Sequence, residues 1–230
     1  MRRYLVTELP GPGVELTVSV GVSHHMLRVS GLAPGEMVEL YDGLGHACVA
    51  ILGRVEDGRA VLVGRQGKSL KRPWLELWLL PALLRARVFD EVVRSATELG
   101  VAHLWPVQSV RCVAKEGKPE RWERIARSAL AQSGGVQLPD LCPVQPLASA
   151  LDRLPDDVER MVLVPGGPSI RPTSERVALF VGPEGGWSEA ELTLLVDSAA
   201  RPLGLGASTL RAQTASVAGL ATLLAGTWEP

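Results

Sequence analysis

Residues 181–191 read Val181-Gly-Pro-Glu-Gly-Gly-Trp-Ser-Glu-Ala-Glu191 and follow the apolar run Val177-Ala-Leu-Phe-Val181. A buried strand that ends in a glycine-rich turn and then a capped helix brings backbone amides close to a ligand. Gly182, Gly185 and Gly186 permit positive φ or close approach, and Pro183 fixes its own φ. Ser188 and Glu191 have the spacing of a capping box, which predicts a helix starting there. Further along, Leu203-Gly-Leu-Gly206 and Thr209-Leu-Arg-Ala-Gln-Thr-Ala215 supply a second apolar strand, a second glycine turn and a lone arginine.

The first turn has neither the lysine of a P-loop nor the GxGxxG of a dinucleotide fold. Its chemistry favours a neutral or zwitterionic ligand held by main-chain groups over a phosphate. Glu184 either orients a ligand amine or bonds nearby amides. Arg211 stands between Leu210 and a helix of small residues, at the end of a helix dipole that disfavours a cation. It is either a surface arginine or one aimed at a substrate carbonyl or phosphate. Gln213 and Thr214 are the expected caps of that last helix.

Outward from these segments the chain alternates strand and helix. Strands are predicted over 74–80, 160–164, 177–181 and 201–205, with 101–107 extended. Helices are predicted over 85–99, 119–133, 189–199 and 213–225, the first two ended by Gly100 and by Gly134-Gly135. Such alternation implies a mostly parallel sheet covered on both faces. Before it, β-rich runs over 14–20, 36–41, 47–55 and 60–63 are separated by Asp42-Gly43 and Asp57-Gly58 turns, and one short helix runs from Ser23 as N-cap to about Ser30. Short strands joined by tight turns point to a small barrel. Residues 64–73 read as a polar linker, so the expected domains are 1–70 and 71–230.

Apolar residues make up 46% of the 230 and charged ones 21%, the balance of a soluble globular chain. The N-terminus lacks a hydrophobic signal core, and no run approaches the roughly 18 apolar residues of a membrane span. Cys48, Cys112 and Cys142 are widely spaced without CxxC, which reads as buried thiols in a reducing cytoplasm. Net charge is −1, with residues 1–127 mildly basic and 128–230 acidic. Adjacent His24 and His25 point about 100° apart on a helix and form no chelating pair. No cluster at metal-ligand spacing is present, and Ser133 and Ser216 lack a His/Asp partner. Arg121, Arg124 and Arg127, interleaved with Glu120 and Glu123, form either a solvated face or a phosphate-facing row.

In combination these pieces resemble, over almost the whole chain, the bacterial 16S ribosomal RNA uracil-N3 methyltransferases of the knotted SPOUT superfamily. The pieces stand in family order: His25-Met-Leu-Arg28, Pro34-Gly35, Asp42-Gly43, Thr97-Glu-Leu-Gly-Val101, Arg111, Arg121-Trp122, Gln132-Ser-Gly134, Pro139, Val181-Gly-Pro-Glu-Gly-Gly186, Leu203-Gly204, Leu210-Arg211 and Thr214-Ala215. The Gly-Pro-Glu-Gly-Gly turn with the later Leu-Arg is the specific part.

The resemblance implies a PUA-like N-terminal β-barrel that helps hold RNA, followed by an α/β SPOUT domain with a deep trefoil knot, an exception to the rule against threaded chains. It implies a cytoplasmic homodimer that binds S-adenosylmethionine in the knot and acts on 16S ribosomal RNA of the small subunit, with no metal. Cofactor contacts would come from Leu163, Val164, Pro165, Val181, Gly182, Pro183, Glu184, Gly185, Gly186, Leu203, Gly204, Leu205, Thr209 and Leu210. RNA contacts would come from Arg28, Arg111 and Arg121. Arg211 is the catalytic candidate, a cation that stabilises the imidate of a deprotonated uracil; no residue identifies itself as the base. The chain departs from the family at Gln213, where glutamate is usual, at Val88 and Ser95, where lysine is expected, and at Gly31, Gly135 and Gln137, often basic. Two alternatives follow: a non-catalytic RNA-binding or ribosome-assembly protein of the same fold, and a SPOUT methyltransferase acting on transfer RNA.

Overall fold

Asp57 and Gly58 both take positive φ, 49° and 75°, and close the turn between two long strands. Around that hairpin the N-terminal part assembles, in a computed structural model that describes residues 1–69 and 75–225. Its elements are β1 (Arg2–Leu5), β2 (Glu15–Thr17), α1 (Val20–His24) running on as a π-helical turn (His25–Val29), β3 (Met37–Tyr41), β4 (His46–Glu56) and β5 (Arg59–Ser69). The strand order is β1-β3-β4-β5-β2, parallel only between β1 and β3. Met26, Val38, Leu40, Ala50, Leu52, Ala60 and Leu62 fill its core with no exposed surface.

Three local expectations change here. β1 carries no strong strand signal in sequence and forms because β3 offers a parallel edge, where Arg3 lies beside Glu39 and donates to it at 2.6 Å. The helix begins at Val20, four residues before the predicted start, with Ser19 as its cap. Ser23 is buried inside it, where its hydroxyl accepts from Ala60 N–H at 3.0 Å. The polar stretch from Gly64 is strand as far as Ser69, zipped to His46–Ala50 by ladder hydrogen bonds that need no apolar side chains. The rest of the expected linker, 70–73, and Trp74 lie outside the described residues.

Contacts divide the chain into two compact units, Met1–Arg72 with Leu130–Leu138, and Pro73–Ala129 with Pro139–Pro230. Within the first, Leu130 and Val136 pack with Tyr41 and Ala47. The Leu138 N–H donates to Gly43 O at 2.8 Å and Arg3 Nη2 to Gly135 O at 3.0 Å.

The second unit contains β6 (Glu76–Pro81), α2 (Ala86–Glu98), β7 (His103–Leu104), β8 (Val107–Gln108), α3 (Pro119–Ser133, shared at its end with the first unit), β9 (Asp140–Leu141), β10 (Gln145–Pro146), α4 (Leu147–Arg153), β11 (Glu159–Leu163), β12 (Arg176–Val181), α5 (Glu189–Asp197), β13 (Arg201–Leu203) and α6 (Ala212–Leu224). Six strands form one parallel sheet in the order β13-β11-β12-β6-β7-β9, and β10 pairs with β8 separately. Leu77–Leu80 and Val177–Val181 are almost completely buried, which is why they read as unbroken apolar runs. α2 turns Phe89, Val92, Val93 and Ala96 inward, one helical stripe. α6 packs on α2, β6 and β12. Its approach is close enough that a Cβ on Gly219 would meet Leu179 Cδ2 at 2.8 Å.

The extended run 101–107 resolves into two pieces in different sheets, β7 and β8, separated by Pro106, which has no N–H to give a ladder. The last strand stops at Leu203 instead of Leu205. The two-residue strands β9 and β10 and the helix α4 were not expected, because so few residues carry no period. No described helix is long and apolar enough to cross a membrane.

Candidate active site

At the carboxyl ends of β11, β12 and β13 the chain leaves a cavity of about 370 Å³. Twelve of the fourteen residues expected to contact a cofactor line it: Leu163, Val164, Pro165, Val181, Gly182, Pro183, Glu184, Gly186, Leu203, Leu205, Thr209 and Leu210. Gly185 and Gly204 do not line it, although the chain neighbours of each do. Trp187, Leu192, Gly206, Ser208, Ala212 and Ala215 also line the space. Trp187, Gly206 and Ser208 belong to turns already marked by glycine, whereas Leu192 on α5 and the two alanines of α6 gave no signal in sequence. The alanines face the cavity because they are three apart on the first turn of α6. Among the described residues, Glu184 is the only ionisable side chain in the lining.

The first turn is held from several sides. Gly186 has φ 70° and donates its N–H to Pro183 O at 2.8 Å. Ser188 and Glu191 form the predicted capping box. Glu191 does more than cap: it is 5% exposed, takes Ser188 N–H and Oγ–H at 2.8 Å each, and takes the N–H of Val110 at 2.9 Å. Burial pushes its carboxyl upward, but the N–H donors of Ser188 and Val110 outweigh burial and hold it below the usual carboxylate value. Arg111 Nη1 reaches Gly185 O at 2.7 Å. The Trp187 indole packs against Gly182, and its buried Nε1 has no hydrogen-bond partner among the described residues.

The loops after β11 and β13 touch backbone to backbone. Gly204 N donates to Pro168 O at 2.8 Å and Val164 N to Leu203 O at 3.0 Å. A Cβ on Gly204 would be driven into the carbonyl of Gly167. Gly204 thus serves the cavity by letting two loops close on each other.

Arg211 is exposed and is itself the N-cap of α6, without a side-chain capping bond. Gln213 and Thr214, the expected caps, lie within the helix, because the extended backbone at Arg211 (ψ 150°) starts the helical turn at Ala212. The residues on either side of Arg211, Leu210 and Ala212, both line the cavity. Arg28 is exposed on the π-helical turn of the first unit. Arg121 is engaged with the buried carboxylate of Asp90, Nε to Oδ2 at 2.9 Å and Nη2 to Oδ2 at 2.5 Å.

A parallel α/β sheet with a concave, largely apolar pocket at its carboxyl edge defines a protein with a small-molecule site in the position such sheets favour. Residues 71–224 match the RNA methyltransferase domain family, and the chain belongs to that family. It is 29% identical over 233 residues to the ribosomal RNA small subunit methyltransferase E of Synechocystis, covering 96% of this chain and 77% of that protein. Its fold superposes with a TM-score of 0.89 on the Neisseria gonorrhoeae methyltransferase E solved with S-adenosylmethionine, at 28% identity over 98% and 97% of the two chains. A Legionella pneumophila protein solved with the same cofactor matches with a TM-score of 0.82, also at 28% identity, covering 97% of each chain.

Proposed function

We propose that this chain methylates N3 of a uridine in 16S ribosomal RNA of the small subunit, using S-adenosylmethionine. The observation that carries the reading is the cavity at the ends of β11, β12 and β13, in a chain of this family that is similar from end to end to a relative solved with that cofactor. The residues suit the cofactor. Leucine, valine and proline side chains offer an apolar slot for an adenine, main-chain groups of the two glycine turns offer donors and acceptors for neutral polar atoms, and Glu184 is the one charge, opposite in sign to a sulfonium.

The bound cofactor supplies an electrophilic methyl group. This chain's residues do the rest. The walls orient the donor and keep water from it, and alignment with the acceptor supplies much of the rate. Arg211, between two lining residues, is assigned as the cation that stabilises the carbonyls beside N3 as the imide proton leaves. N3 is a pairing edge, so the uridine enters unpaired or flipped out. Arg28, Arg111 and the part of Arg121 not occupied by Asp90 are assigned to RNA phosphates.

We further assign 1–70 as a PUA-like barrel and 71–230 as a SPOUT domain with a trefoil knot. In favour of the barrel are two register shifts in the β4–β5 pairing, between Val49 and Ala50 and between Leu52 and Arg54, since bulges of this kind bend a sheet. In favour of the knot are the closely apposed Gly167 and Gly204 loops, followed by a helix that packs back on β12 and β6. A homodimer would cover Val217, an exposed apolar side chain of α6. The three buried free cysteines suit the cytoplasm.

Titration calorimetry with S-adenosylmethionine, followed by methylation of undermethylated small subunits, tests the reading. Heat with methyl incorporation at a uridine N3 is expected. Cofactor binding without incorporation would leave a non-catalytic RNA-binding protein, and labelled transfer RNA would move the substrate.

A further inference from the structure

The loop after β8 is distant in sequence from the Gly182–Gly186 turn, yet it grips that turn at two points. At the base, the Val110 N–H enters the carboxylate of Glu191, which also holds Ser188. At the tip, Arg111 takes the Gly185 carbonyl. The loop is itself closed, with Cys112 N donating to Ser109 O at 3.1 Å and Ser109 and Cys112 both buried. Val110 is 78% exposed, so it holds the turn through its N–H and not through apolar adhesion.

A peptide unit is rigid. The carbonyl of Gly185 and the N–H of Gly186 share one plane, fixed on one side by Arg111 and on the other by Pro183 O. Glu184, Gly185 and Gly186 are all exposed, and two glycines in such a turn have much conformational freedom to lose on binding. We propose that the Ser109–Cys112 loop is a brace that prepays this ordering, with Glu191 and Arg111 as positioning residues for the methyl-donor cavity. For Arg111 this is a role in addition to RNA contact. The inference rests on the reading that the cavity holds S-adenosylmethionine.

The test uses the full chain without RNA. Calorimetry with S-adenosylmethionine compares wild type with Arg111→Ala, Arg111→Lys and Glu191→Gln, and hydrogen exchange reads the Gly186 amide in the ligand-free proteins. Losing one charge-assisted bond should raise Kd about five- to tenfold in Arg111→Ala and speed Gly186 exchange by about the same factor. Arg111→Lys, which keeps one donor for the carbonyl, should recover much of both. Glu191→Gln should weaken binding similarly; should that buried change unfold the chain, the exposed Arg111 pair decides alone. A Kd within twofold of wild type in Arg111→Ala overturns the brace, whatever the exchange does. Weakened binding with unchanged exchange overturns it too. Wild type that gives no heat removes the cofactor reading, and unchanged Gly186 exchange in Arg111→Ala would then remove the brace as well.

Discussion

At the amino ends of its strands the six-stranded sheet is lined with paired charge, whereas at the carboxyl ends the same strands run out into Pro81, Leu163, Val181 and Leu203. At the amino end Glu76 accepts from Arg176 Nε at 2.9 Å and meets His103 Nε2 at 3.1 Å. His103 stacks on Trp78 with centroids 4.1 Å apart, and Arg176 lies over the other partner of that stack, the Trp78 ring, at 5.0 Å. Glu159 takes the N–H groups of Thr173 and Ser174 and pairs with Arg201. At the cavity end the lining holds one carboxylate among the described residues, Glu184, and the turns depend for their order on glycine and on contacts from a remote loop. One end spends its polar groups on the fold and the other leaves main-chain groups for a ligand, so damage to stability and damage to binding should separate by sheet end.

Substitution of Gly204 by valine should have the largest effect, because two backbones must part. A loss of about 3 kcal/mol or more in urea unfolding, with no cofactor heat, is expected; wild-type binding would break the assignment of the cavity to those loops. Glu159→Gln should cost about 2 kcal/mol and leave cofactor Kd unchanged in the folded fraction. Burial raises the Glu159 carboxyl, but the Thr173 and Ser174 amides and Arg201 lower it more, so its folded value lies below its unfolded one. Its contribution is therefore complete above the ordinary carboxylate range and lost as pH falls through the folded value. The urea midpoint of wild type should drop on acidification below about pH 4, and Glu159→Gln should flatten that slope. Arg211→Ala should cut methylation tenfold or more, about 1.4 kcal/mol in activation, with stability and cofactor affinity kept; an equal loss of affinity would move Arg211 into the cofactor wall. Arg94→Ala, which removes an exposed pair with Glu91, should stay within about 0.5 kcal/mol and calibrates the others.

The parallel sheet was legible because buried strands such as Val177–Val181 leave continuous apolar runs, and the α5 start because Ser188 and Glu191 are three apart and bond locally. Of the cavity segments, 163–165 followed only from the family resemblance, whereas those after Val181 and after Leu203 were legible because glycine after a strand end is a local backbone requirement. β1 was not, since it exists only as a partner for β3. Nor was the second use of Glu191, whose link to Val110 joins residues 81 apart. Leu192, Ala212 and Ala215 reached the cavity through the packing of α5 and α6, on which their own neighbours are silent.

By itself, then, the sequence determined what neighbouring residues decide: helix and strand periods, caps, the glycine turns, and the family order of motifs. Tertiary structure alone decided which distant groups meet, including Arg111 at Gly185, Arg121 at Asp90, Gly204 against Gly167 and Leu130–Leu138 with the first unit. The physical reason is range. Backbone preferences act over a few residues, while a hydrogen bond or a close backbone contact depends only on distance in space, which the order of residues does not carry.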